Sequence, residues 1–370
     1  MTIARLVITG GGTGGHLFPG IAVADEVLSR FPGSEVLFIG TGREIDQRAL
    51  AAKPYRQATL TGSGLKGISW KGRLLSLLRL PVGFCQAWRL LARFRPQLVL
   101  GVGGYVTGPV LLAARLRGIT TAIHEQNSVP GLANRLLGRV VHLVFLTMPG
   151  SERYFPVAKA CLVGNPLRPE LLAAAEPVSA GEDGAGDQPG VRRLLVLGGS
   201  QGAHRLNQLL PRALARLAAE GIRLTVTHQS GGRDVAEVAQ AYRQAGIEAR
   251  VEAFIGDMAA VYRQSELVVS RAGATTLAEL TLFGKPALLV PYPYAADDHQ
   301  RRNAEIMVEH GAAVLKLEAE LDEQGLAAEL KELLHDHRRR REMAARSREL
   351  ARPGAAGEII ARVQRYWQGS

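Results

Sequence analysis

Glycine-rich turns that carry a polar residue and a histidine are the first feature with chemical meaning. Gly10–His16 reads GGGTGGH and Gly198–His204 reads GGSQGAH, each after an apolar run and before a helix-like segment. Such a turn leaves backbone N–H groups unobstructed beside the positive end of a helix dipole, where phosphates settle. Further turns of this kind fall at Gly101–Gly104 and Gly273. Gly10, Gly12 and Gly15 match the GxGxxG dinucleotide spacing, but the second apolar run ends FIGTG, with Gly40 where a nicotinamide site wants an acid. No GxxxxGK[ST] occurs, and neither a DxD pair nor a His/Cys cluster has ligand spacing, so no metal or other cofactor is expected.

The elements that must position these turns repeat along the chain. Apolar runs such as ARLVITG, SEVLFIG, PQLVLGV, TTAIHEQ and KACLVGN, then RRLLVLGG, IRLTVTHQ, ELVVSRAG and KPALLVPY, alternate with helical periodicity. Continuous apolar strands of this type belong to parallel sheets covered on both faces, so the chain reads as α/β. The strand, turn and histidine near the start recur at Arg193–His204, which predicts two Rossmann-like units in tandem. Glu176–Gly190 (EPVSAGEDGAGDQPG) has no periodicity and reads as a loop between them.

With 370 residues the chain is long enough for about two to three domains. Hydrophobic residues at 46% and charged residues at 21% exclude a disordered chain or a coiled coil. Net charge is +11, and no acid occurs between Asp46 and Glu125, where twelve Lys and Arg residues fall. That local field suits nucleic acid, an acidic membrane surface or a phosphorylated substrate. Cys85 and Cys161 lack CxxC spacing, so a reducing, cytoplasmic setting is expected, and the first residues are too poor in apolar character for a signal peptide. The uncharged run Gln97–Ala114 is broken by five Gly and Pro residues and reads as strand, loop and helix rather than a membrane span.

GGGTGGH (Gly10–His16), GVGGYVTGP (Gly101–Pro109), HEQN (His124–Asn127), GNPLR (Gly164–Arg168), GGSQGAHRLN (Gly198–Asn207), FIGDM (Phe254–Met258), RAGATTLAE (Arg271–Glu279) and HQRRNA (His299–Ala304) occur in that order. As a set, over almost the whole chain, they closely resemble the MurG family of N-acetylglucosaminyltransferases, which convert lipid I to lipid II in bacterial peptidoglycan synthesis. The resemblance implies the GT-B fold, two Rossmann-like domains with parallel sheets facing across a cleft. Residues 1–163 would be an acceptor and membrane-facing domain, 164–192 a connection, 193–350 the UDP-GlcNAc-binding domain, and 351–370 a helix packing back on the first. The implied reaction is an inverting transfer of GlcNAc from UDP-GlcNAc to the MurNAc 4-hydroxyl of undecaprenyl-pyrophosphoryl-MurNAc-pentapeptide (lipid I). The implied setting is cell-wall biogenesis, with its links to cell shape and division, peripherally at the cytoplasmic face of the inner membrane. Anionic lipids and other cell-wall synthesis proteins would be partners, and nucleic acid would not.

Roles follow residue by residue from the resemblance. Glu279 would bind the uridine ribose, with Ala274, Thr275, Thr276, Leu277 and Ala278 beside it in the donor site, and Ile255 would meet the uracil ring through its backbone. Ser200 would bond the leaving pyrophosphate or cap a helix, and both can hold at once. Asn127, Arg168 and Gln300 match donor-site positions, and Thr13, Gly14 and Gly15 a loop lining the same cleft. His16 is the first candidate for the base that deprotonates the acceptor hydroxyl, since the positive end of a helix dipole favours a neutral imidazole at pH 7. A helix-capping or phosphate-binding role for His16 carries equal weight, with Glu125 the second candidate base. Trp70, Leu74, Leu77 and Leu78, then Phe84, Trp88 and Leu91, form a helical apolar stripe beside Lys66, Lys71, Arg73 and Arg79, to be divided between core and membrane contact. Another GT-B UDP-sugar transferase or a UDP-GlcNAc epimerase is the alternative within enzymes. A basic nucleic-acid-binding protein is the alternative outside them, disfavoured by 5% aromatic content.

Overall fold

The computed structural model describes residues 2–51, 53–60, 70–175, 190–199 and 202–369, with side chains at 44–45 and 70–80 left undescribed. It divides into two compact units, Met1–Pro169 with Arg352–Ser370, and Glu170–Ala351.

The first unit alternates β1 (Arg5–Gly10), α1 (Gly14–Arg30), β2 (Glu35–Gly40), α2 (Glu44–Leu50), β3 (Arg56–Thr59), α3 (Trp70–Phe94), β4 (Leu98–Gly103), α4 (Thr107–Leu116), β5 (Thr120–Glu125), α5 (Leu132–Val140), β6 (Leu143–Leu146) and β7 (Ala160–Leu162). After α6 (Pro169–Ala175), the second runs β8 (Val191–Leu197), α7 (His204–Ala219), β9 (Arg223–Gln229), α8 (Val235–Gln244), β10 (Glu248–Glu252), α9 (Met258–Gln264), β11 (Leu267–Ser270), α10 (Ala274–Phe283), β12 (Ala287–Leu289), α11 (His299–Glu309), β13 (Ala313–Leu315), α12 (Glu323–His335) and α13 (His337–Glu349). The chain ends in α14 (Ala355–Gln368), which belongs to the first unit.

Each unit holds one parallel sheet, ordered β3-β2-β1-β4-β5-β6-β7 in the first and β10-β9-β8-β11-β12-β13 in the second. The central strands are buried along nearly their whole length because helices cover both faces, which is why they read as unbroken apolar runs. In the first unit Leu17, Ile21, Ala24 and Val27 of α1 share a core with Ile359, Ile360 and Val363 of α14. Burying each large aliphatic side chain there contributes about 1.5–3 kcal/mol, and Trp367 anchors the end of α14 by donating to Thr120 Oγ1 at 2.7 Å. In the second unit α7, α8 and α12 supply Leu210, Leu214, Tyr242, Leu330 and Leu333 against Val196 and Val226 of the sheet.

Candidate active site

In an open parallel sheet the crevice for a ligand lies outside the carboxyl ends of the strands where the connections diverge. In the first unit that point is between β1 and β4. Gly10 ends β1 with φ +144°, and an added Cβ would collide with the Gly103 carbonyl; at Gly103, φ +108°, a Cβ would lie 2.8 Å from His16 Nδ1. Glycine at both positions lets two loops and an imidazole close together. The expected loop residues Gly14 and Gly15 form the first turn of α1, after Thr13 at its N-cap.

His16 Nδ1 lies 3.0 Å from Gln126 Oε1. The orientation of the buried Gln126 amide is assigned by its other neighbours: Nε2 reaches Val102 O at 3.1 Å and His124 O at 3.2 Å, and carbonyls only accept. The oxygen must therefore face His16, whose neutral form carries its proton on Nδ1 and its lone pair on Nε2. That Nε2 makes no hydrogen bond among the described residues. Gln126 Nε2 also lies 3.1 Å from His124 Nδ1, so His124 donates from Nε2 to Gly164 O at 3.0 Å. His124 is fully buried, and burial first of all drives its pKa down to about 4, which keeps it neutral. Nothing in the HEQN motif itself marks Gln126 as the link between two imidazoles, which needs the fold of β4 and β5.

Glu125 is buried, and both carboxylate oxygens are engaged: Oε1 accepts from the Asn127 N–H at 3.0 Å and Oε2 from Asn134 Nδ2 at 2.7 Å. Arg168 lies over the Phe18 ring at 5.0 Å, one turn along α1 from the glycine loop. Asp46 lies against the first glycine loop. Its Oδ1 accepts from Gly12 N–H at 2.8 Å and its Oδ2 from Thr41 Oγ1 at 2.5 Å, so a protein carboxylate occupies an amide that the glycine pattern offered to an anion. The acid that seemed missing from the end of β2 comes six residues after Gly40, from α2.

In the second unit the corresponding point lies between β8 and β11. Gly198 and Gly199 follow β8; Ser200 falls outside the described residues. Gly273 caps α10, whose Ala274 and Leu277 side chains are buried while Thr275, Thr276 and Ala278 are partly open. Glu279, in the second turn, is 8% exposed and accepts from Tyr262 Oη at 3.0 Å. Tyr262 is fully buried and stacked on Phe283 at 5.1 Å, so a rigid aromatic from α9 sets the carboxylate's rotamer, a residue that no motif singled out. The Ile255 side chain is core and its N–H donates to Gln229 Oε1 at 3.0 Å, which leaves its carbonyl for a ligand. Gln300 Oε1 accepts the Tyr292 N–H at 2.9 Å, leaving the amide N–H groups as its donors. At the start of α7, Asp234 accepts from Asn207 Nδ2 at 2.7 Å and faces His204 Nδ1 at 3.0 Å; Asn207 in turn meets His228. The bond from Asn207, ahead of the others, holds the Asp234 carboxyl below its ordinary range.

Only part of the basic stretch lies among the described side chains. Leu91 is core, Phe84 packs partly against it, and Trp88 is exposed with the Arg117 guanidinium 4.7 Å from its ring centre. The rest of the stripe and its four cations, Lys66, Lys71, Arg73 and Arg79, lie outside the residues or side chains described. Further apolar surface lies outside that stripe: Leu112 and Leu116 on α4, and Leu132 and Leu136 on α5, with Leu116 70% and Leu132 71% exposed. α4 packs against both α3 and α5, and Arg117, which follows Leu116, lies against Trp88. No helix among the described residues is long and apolar enough to cross a membrane.

A doubly wound sheet in each unit, with polar side chains gathered at the strand switch point, is the architecture of a GT-B glycosyltransferase. Residues 6–146 match the glycosyltransferase family 28 N-terminal domain and residues 193–359 the family 28 C-terminal domain. Relatives from Geobacter sp. (strain M21) and Geobacter sulfurreducens, 47% and 46% identical over 96% of this chain and covering 95% and 97% of theirs, are both UDP-N-acetylglucosamine--N-acetylmuramyl-(pentapeptide) pyrophosphoryl-undecaprenol N-acetylglucosamine transferases. Acinetobacter baumannii MurG matches with a TM-score of 0.76 and 30% identity, over 98% of this chain and 99% of that one. A UDP-N-acetylglucosamine 2-epimerase, at 15% identity and TM-score 0.68 over 100% of this chain and 98% of that one, shares the fold alone. This chain belongs to the MurG family of glycosyltransferase family 28.

Proposed function

We propose that this chain transfers GlcNAc from UDP-GlcNAc to the MurNAc 4-hydroxyl of lipid I, giving lipid II with inversion at the anomeric carbon. The names borne by its full-length relatives support the substrates, and the His16–Gln126 pair at the β1/β4 switch point carries the chemistry. The acceptor oxygen attacks the anomeric carbon, its proton passes to His16 Nε2, and the bond to UDP breaks with the electron pair leaving on the phosphate. Gln126 holds His16 in the tautomer whose lone pair can take that proton, the part a carboxylate plays in a Ser-His-Asp triad. Glu125, closed in by Asn127 and Asn134, is better suited to positioning the loop after β5 than to taking the proton.

The donor's uridine ribose is read by Glu279, whose carboxylate can accept from a diol while Tyr262 holds it still. The Ile255 carbonyl meets the base, the turn after β8 with Ser200 faces the pyrophosphate, and the Gln300 amide checks the sugar hydroxyls. For Thr13 to Gly15, Asn127 and Arg168, which all belong to the first unit, the likeness to the MurG family is what supports a part in substrate binding. The enzyme works peripherally at the cytoplasmic face of the inner membrane, docking Trp88, Leu112, Leu116, Leu132 and Leu136 on anionic lipid among surrounding arginines.

Radiolabelled UDP-GlcNAc with a lipid I analogue tests the reading. Label in a disaccharide-bearing lipid is expected. Label released as ManNAc without acceptor would make the chain an epimerase instead.

A further inference from the structure

A concavity of about 760 Å3 opens at the amino ends of β8, β11 and β12, the end of the second sheet opposite the proposed donor site, with α13 as one wall. Its lining is unbalanced. Six Lys and Arg side chains face a single carboxylate, that of Glu266. Glu266 is already engaged: it accepts from Arg340 at 3.0 Å and pairs with Arg192 at 3.5 Å. Arg340 is buried and further anchored to Leu333 O and Leu334 O at 2.7 and 2.6 Å, so this part of the wall is rigid. Lys285 donates to Ser265 O at 2.8 Å and to Arg263 O at 3.3 Å. Burial first, and then the Arg348 charge, pushes its pKa down to about 8 in spite of Glu266.

Arg341 and Arg348 are exposed and pair with no carboxylate among the described residues. Arg348 lies across Gly284, the left-handed cap of α10, where any Cβ would strike the guanidinium. We propose that this concavity binds a multivalent phosphate anion, with Arg341 and Arg348 as its forked ligands over a floor of Arg192, Arg340 and Lys285. Guanidinium pairs match phosphate oxygens two at a time, and a concave surface of one sign focuses its field. The volume lies within the roughly 300–1,000 Å3 of small-molecule sites, larger than a single phosphate needs. Either a soluble polyphosphate or the headgroup of an anionic lipid carries this chemistry.

The test is calorimetric titration of inorganic pyrophosphate into the full chain at low salt with UDP saturating, so that the proposed donor site is filled. One pyrophosphate per chain is expected, bound more weakly as salt rises. Arg341→Gln with Arg348→Gln should weaken it about tenfold or more, the worth of a lost charge-assisted hydrogen bond, with UDP affinity unchanged. Circular dichroism checks the fold, and Arg341→Gln alone is read if the pair does not fold. Absence of pyrophosphate binding, or equal binding by parent and variant, overturns the assignment. In a second arm with phosphatidylglycerol vesicles, sedimentation lost in the variant and displaced by pyrophosphate identifies a lipid headgroup as the source; unchanged sedimentation identifies a soluble phosphate.

Discussion

Acidification from pH 8 to pH 5 should loosen the first unit through His124. The imidazole is fully buried between Gln126 and Gly164 O, and its pKa falls from 6.5 to about 4. Between those values the unfolded chain binds a proton that the folded chain refuses. The stability contributed by the neutral ring is complete above pH 6.5 and drains away as pH falls toward 4. At 1.36 kcal/mol per unit, the loss from this group between pH 8 and pH 5 is about 2 kcal/mol. His142, also held down by burial and then by Arg115 and Lys159, adds a loss of the same sign. All three tryptophans, Trp70, Trp88 and Trp367, belong to this unit, so fluorescence during urea unfolding reads it selectively. The variant His124→Gln should start less stable at pH 8 but lose about 2 kcal/mol less than the parent on going to pH 5. Equal losses in the two proteins would refute the idea that a neutral, buried His124 carries the effect.

Replacing His16 with Ala should lower turnover by roughly 10²–10⁴-fold and leave the donor Michaelis constant nearly unchanged, whereas a change confined to that constant would make His16 a phosphate ligand. Glu279→Ala should weaken UDP-GlcNAc binding by about 1.5–3 kcal/mol, and Tyr262→Phe by about 0.5–1.5 kcal/mol because the carboxylate survives but is less well held; calorimetry showing unchanged affinity in both folded variants would remove the ribose assignment. Leu112→Ser with Leu132→Ser, exposed and outside the core, should reduce sedimentation with phosphatidylglycerol vesicles while sparing activity on a short-chain soluble acceptor; undiminished pelleting would put the docking face elsewhere. In the second unit His228, driven by burial down to about 3, should give the same acid-side destabilisation as His124, visible as a circular dichroism transition that flattens in His228→Gln.

The strands buried on both faces were legible because burial on both sides leaves no room for polar alternation: RLVITG, EVLFIG and RRLLVL each announce a central strand. Of the four edge strands β7 was legible, as ACL within KACLVGN, and the other three were not. β3 is RQAT and β10 is EARVE, mostly polar and open to solvent, and β13 is three residues long, so their pairing comes from a neighbouring strand rather than from their own pattern. β6, LVFL, is wholly buried but short, and followed a helix whose apolar residues ran into it.

At the candidate site the sequence determined which residue types were on hand: glycines where loops approach closely, His16 at a helix start, and Glu279 one turn into α10. Their local setting follows from chain neighbours a few positions away, which a motif records. Tertiary structure decided what each of them faces. Asp46 took up the Gly12 N–H of the first glycine loop, Gln126, 110 positions from His16, joined that ring to His124, and Tyr262 came from α9 to orient Glu279. Hydrogen bonds and desolvation depend on distance in space, and strand order, not spacing along the chain, sets those distances.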